Sequence, residues 1–134
     1  MLLGTLAFGV IGMTVELLLL GHVDSTWQWI PVVLLGASVL LLAWHAATPS
    51  RVTVRALQAT MVLLIITGGI GVGLHYDGNV EFELEMYPDA RGLELVTKTL
   101  TGATPVLAPG TMALLGLVGL AVVYRHPATE ERKS

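Results

Sequence analysis

The stretch from Leu2 to Leu20 reads LLGTLAFGVIGMTVELLLL. It is apolar for nineteen residues except for glycines, two threonines and Glu16. That length matches the ~20 residues an α-helix needs to cross ~30 Å of hydrocarbon. A secretory leader would show a basic n-region and a small-residue cleavage site. Met1 instead runs straight into Leu2 and Leu3, and Gly21-His22-Val23-Asp24 follows the apolar run. The segment is therefore read as a retained helix.

Three further stretches repeat the pattern, at about Trp27–Ala47, Ala56–Leu74 and Pro105–Tyr124. Lipid offers no partner to a backbone N–H or C=O, so each segment must satisfy its own amides as a helix. A barrel strand facing lipid would alternate polar and apolar residues, and these do not. The chain as a whole agrees: of 134 residues, 54% are hydrophobic and only 13% charged, with mean hydropathy +0.75. The fold class read from the sequence is an all-α integral membrane protein, a four-transmembrane-helix bundle. It forms one domain over residues 1–126, with residues 127–134 as a disordered cytoplasmic tail.

Short-loop Lys and Arg set orientation. Arg51 and Arg55 lie between the second and third segments, and Arg125, Arg132 and Lys133 follow the fourth. Only Arg91 and Lys98 lie in the other connections. Asp24, Asp77, Glu81, Glu83, Glu85, Asp89 and Glu94 fall on the side opposite the basic cluster. Both termini are thus expected in the cytoplasm (N-in, C-in), with an acidic extracytoplasmic segment over 75–104. Trp27, Trp29, Tyr76 and Tyr87 suit the outer interface, and Trp44 and Tyr124 the inner one. A bacterial inner membrane is the expected location.

Within 75–104, Asp77-Gly78 signals a turn. Val80, Phe82, Leu84 and Met86 then alternate with Glu81, Glu83 and Glu85, a period of two that argues for an extended segment ended by Pro88. A lone strand lacks a hydrogen-bonding partner, so it must lie on the membrane, pair within an oligomer, or be helical instead. Leu93–Leu100 reads as a short amphipathic helix.

Glu16 is the most suggestive residue for function, because a carboxylate in a membrane helix is costly and normally faces a bundle interior or water. Thr5, Gly9, Gly12 and Glu16 share one small-residue helical face suited to packing. A structural reading, in which the carboxylate reaches the headgroups or is hydrogen-bonded between helices, stands beside the functional one. Pro109 interrupts the fourth segment four residues after Pro105, and Gly69 and Gly73 form a small-xxx-small pair in the third. All these features lie at similar depth near the outer surface, with His22 and His75 just above. They define a candidate polar outer pocket of Glu16, His22, His75, Thr104 and Pro109, whose helix-start N–H groups would favour a carboxylate or anion. Asp77, Glu81, Glu83 and Glu85 form a candidate acidic face for a cation or a basic partner, although such charge runs usually only face solvent.

The remaining signals are mostly negative. Four histidines end the spans and invite comparison with bis-histidine haem proteins, but they sit at the interfaces and not within the helices. No cofactor and no metal site are expected. There is no cysteine, no phosphate-binding or nucleophile-elbow motif and no basic stripe for nucleic acid. The expectation is a small non-catalytic membrane protein acting through helix–helix contacts, as a homo-oligomer or an accessory subunit, in contact with lipid. The alternative is a small transporter or channel using Glu16 and the broken start of the last helix.

Overall fold

The computed structural model describes residues 1–21 and 23–128. His22, and residues 129–134 of the expected disordered tail, lie outside the described residues. Five helices follow in order: α1 (Leu2–Leu19), α2 (Thr26–Ala47), α3 (Arg51–Met86), α4 (Gly92–Leu100) and α5 (Gly110–Val123). Among the described residues, α1, α2 and α3 are long and apolar enough to cross a membrane, and α5 is a shorter apolar helix of 14 residues. The chain is a small multi-span helical membrane protein in contact with lipid.

Local chemistry starts α2 and α3. Gln28 Oε1 accepts from the N–H groups of Asp24 (2.7 Å) and Ser25 (3.1 Å), tying down the entry to α2. At α3, Ser50 Oγ accepts from Thr53 N–H (3.2 Å) and Thr53 Oγ1 accepts from Ser50 N–H (3.0 Å), a reciprocal cap.

Helices α1, α2, α3 and α5 form a closed ring. Each packs on its neighbours, and among the described residues the backbones of the diagonal pairs, α1 with α3 and α2 with α5, stay apart. The core holds Leu6 and Val10 of α1, Leu35 and Leu42 of α2, Val54, Leu57, Met61 and Leu64 of α3, and Met112, Leu115 and Val123 of α5. The tightest seam joins α3 to α5. A Cβ on Gly116 would stand 2.5 Å from the Met61 carbonyl oxygen, and one on Gly68 would stand 2.7 Å from Ala113 N. These backbones approach closely only because both positions are glycine. Gly69 and Gly73, the pair expected to pack, instead face open space. On α1 the small face is divided likewise: Gly9 packs against Leu115, whereas Gly12 meets nothing within 4 Å.

One sequence expectation is overturned. Neither the turn at Asp77-Gly78 nor the extended segment over 80–86 forms, because α3 continues without a break to Met86. Its 36 residues span about 54 Å at 1.5 Å per residue, well beyond the hydrocarbon thickness. Its last three turns therefore project past the apolar window. Burial there follows a helical period: Asn79 and Glu83 are buried, Val80 and Leu84 half-buried, and Glu81, Phe82, Glu85 and Met86 exposed. The alternation of residue types is real, but a partner surface on one side of the helix selects which of them are covered.

That partner is α4 with the segment leading to α5. Before α5 the chain runs through i→i+3 turns, with Ala108 N–H donating to Pro105 O (3.1 Å) and Met112 N–H to Pro109 O (3.0 Å). Pro109 has no N–H to offer, so regular α-helix begins only at Gly110.

Candidate functional site

The basic ends come together at one end of the bundle. Arg51 Nε donates to Ala128 O (3.2 Å), and the rings of His45 and His126 meet edge-on with centroids 5.0 Å apart. His45 is buried, with Nδ1 3.0 Å from Thr53 Oγ1. The polar groups of this end are used in holding α2, α3 and the C-terminal segment together, and an apolar groove of about 310 Å³ lies beside them between α1 and α2.

The other end is open in the middle. A cavity of about 520 Å³ lies between α1, the start of α2, the outer part of α3 and the turns before α5. Its polar lining is Glu16, Gln28, Thr67, His75 and Thr111. The walls include Trp27, Pro31, Pro109 and Met112. Gly9 packs on Leu115 of α5, and Glu16 is two turns further along the same edge of α1. The carboxylate therefore stands at the seam between α1 and α5, where the irregular start of α5 leaves room. It makes no hydrogen bond or ion pair with any described residue.

Of the pocket residues expected from sequence, Glu16, His75 and Pro109 line this one cavity. His75 Nδ1 lies 3.3 Å from Pro105 O. A carbonyl only accepts, so Nδ1 carries the proton in this pair and His75 ties α3 to the segment before α5. Thr104 is used elsewhere, as described below. The expectation that the helix start offers free donors to an anion does not fit the geometry. The N–H groups of Ala108, Gly110, Thr111 and Met112 are each engaged within the local turns. Among the described residues no Lys or Arg lines the cavity.

Asn79 is a residue that sequence reading missed. It is 2% exposed and its carboxamide is fully used. Nδ2 donates to Thr99 O (2.9 Å) and Thr104 O (2.8 Å), and Oδ1 accepts from Thr104 N–H (3.1 Å) and Thr104 Oγ1–H (2.6 Å). This clamp holds the projecting part of α3 to the end of α4 and so fixes where the turns before α5 begin. Position 79 was read as the residue after a turn, and only a helix puts it one turn from both His75 and Glu83. Pro31 was also missed: it lacks the N–H that would otherwise bond to the Trp27 carbonyl, and it lies on the cavity wall.

The candidate acidic face is also reshaped. On a helix, Asp77, Glu81 and Glu85 share one face at i, i+4 and i+8, and all three are exposed. Glu83 points the other way and is buried beside Asn79's turn. Among the described residues no group of three or more His, Cys, Asp or Glu could hold a metal ion.

Comparison of the chain with protein-family models, with curated proteins and with solved structures finds no match.

Proposed function

We propose that this chain is a four-span protein of a bacterial inner membrane, with both termini in the cytoplasm, that acts without catalysis through helix–helix contacts. In this reading it works as a homo-oligomer or as an accessory subunit of a larger membrane complex. The observation that carries it is the division of the glycines. Gly68 and Gly116 are consumed inside the bundle, whereas Gly69 and Gly73, one turn apart on α3, face outward with no atom within 4 Å of an added Cβ. Close helix approach through such small-xxx-small faces is a common basis of association in lipid. With α5 as a fourth span, completed by the turns before Gly110, the basic cluster at one end and the acids at the other support the N-in, C-in orientation.

The chain has no cysteine, which makes the test clean. A single cysteine at Gly69, oxidised in native membranes, should crosslink to a second copy or to one fixed partner. Gly69→Leu with Gly73→Leu should abolish that assembly while leaving the fold intact, since both positions are open. A native mass spectrum showing only monomer, with no crosslinked product, would sink the reading.

A small transporter or channel is the second reading, favoured by the Glu16-lined cavity. Against it, the bundle beyond the cavity is filled by Leu6, Val10, Leu57, Met61 and Leu115. Ser38 and Thr60 there donate to carbonyls of their own helices, Leu34 O (2.7 Å) and Ala56 O (2.9 Å). No polar route continues inward.

A further inference from the structure

We infer that the cavity between α1, α2, α3 and α5 is a binding site for an amphipathic organic cation, with Glu16 as its counter-ion. Four observations on the cavity converge on this ligand class. Its volume, about 520 Å³, falls in the range of small-molecule sites, and its walls are apolar with a few polar groups. The Glu16 carboxylate is the one acidic side chain on the lining and has no partner among the described residues. Among the described residues no Lys or Arg lines the cavity, and the nearby backbone N–H groups of Ala108, Gly110, Thr111 and Met112 are already engaged, so an anion finds no counter-charge among them. Trp27, whose indole is a group to which quaternary cations are attracted, lines the same cavity.

The physical argument is one of compensation. An uncompensated carboxylate at membrane depth is unfavourable, and its default meaning is a site whose partner can be named. Among the described residues no side chain is bonded to this carboxylate: Gln28 turns its oxygen to the Asp24 and Ser25 amides, and His75 donates to Pro105 O. A ligand carrying a positive charge on a bulky apolar body meets both demands, covering the walls and neutralising Glu16. The inference is independent of oligomeric state and of which end faces the cytoplasm.

The test uses the full chain in lipid nanodiscs and two ions of matched size and opposite charge, tetraphenylphosphonium and tetraphenylborate. Calorimetric titration should show saturable binding of the phosphonium and none of the borate. Glu16→Gln should weaken phosphonium binding roughly thirtyfold or more, the expectation for removing one partner of a charge pair that the bound ligand desolvates, Glu16 being exposed in the free chain. Trp27→Leu should weaken it less, about threefold. An unchanged thermal midpoint for both variants establishes that the loss is not unfolding. Equal affinity of the wild type and Glu16→Gln, binding of both ions alike, or no saturable binding of the phosphonium would each overturn the site.

Discussion

The two ends of this bundle solve the same problem differently. At the end that holds Arg51 and Ala128, side chains of the Leu–Met core fill the axis, His45 meets Thr53, and the groove left between α1 and α2 is wholly apolar in its lining residues. At the end that holds Glu16 and His75, three prolines and a run of short turns keep the helices apart around a cavity. Continuous helix with glycine at the contact brings backbones together, whereas helix interrupted at Pro109 cannot follow its neighbour closely. What closes the open end is a strut outside the apolar window, the projecting part of α3 clamped to α4 by one asparagine. Tight packing supports the first region, and a few fully used hydrogen bonds support the second.

The most damaging way to break the contrast is to add volume where the backbones meet. Gly116→Leu should disrupt the α3–α5 seam, because the nearest atom is the Met61 carbonyl oxygen at 2.5 Å, which cannot rotate away. Overpacking of this kind typically costs about 1–3 kcal/mol and sometimes more. The variant should lose its cooperative melt in nanodiscs, while Gly12→Leu, in open space on α1, should melt like the wild type. Equal behaviour of the two would mean that the close seam is not what holds the bundle.

Asn79→Ala attacks the strut instead. It removes four hydrogen bonds and leaves the Thr104 N–H and carbonyl unpaired, while the Thr99 carbonyl keeps its bond from Gly102 N–H (3.4 Å). A loss of about 1–2 kcal/mol is expected, since Thr104 is exposed and water can take up its freed groups. Hydrogen exchange should quicken across 99–105 and leave the amides around Met61 protected. A uniform rise along the whole chain would show that the two ends are not separable.

A smaller effect belongs to the packed end. Thr53→Val keeps the shape but removes the oxygen that accepts from Ser50 N–H and meets His45 Nδ1. The start of α3 should fray, at about 1 kcal/mol, the usual weight of a lost cap. Exchange at Arg51 to Val54 reports it, and unaltered rates there would remove the cap from the account.

The two ends also differed in how far they could be read in advance. Where hydropathy alone decides, the reading was close: Leu2–Leu20 against α1 at Leu2–Leu19, and Trp27–Ala47 against α2 at Thr26–Ala47. It failed over 75–86, where a period-two pattern suggested an extended chain and a tertiary partner made a helix. Nothing local to Asn79 reveals that it will be buried, since its partners Thr99 and Thr104 lie 20 and 25 residues away. The cavity was partly legible, because depth follows from counting along a span: Glu16, His75 and Pro109 come to one level. Lateral position does not follow from counting. Thr104 reaches similar depth but is turned into the Asn79 clamp.

The subtlest test concerns the same clamp. Thr99 is fully buried, and its Oγ1 has no hydrogen-bond partner, although its carbonyl accepts from Asn79. Burying a hydroxyl without a partner costs free energy, while replacing it by a methyl group of like shape can be neutral or stabilising. Thr99→Val should therefore leave the carbonyl bond in place and raise the thermal midpoint slightly, by up to about 1 kcal/mol in stability. If Thr99→Val instead destabilised the strut as much as Asn79→Ala, the hydroxyl would have to be engaged, and the open end would rest on a wider polar network than the one asparagine.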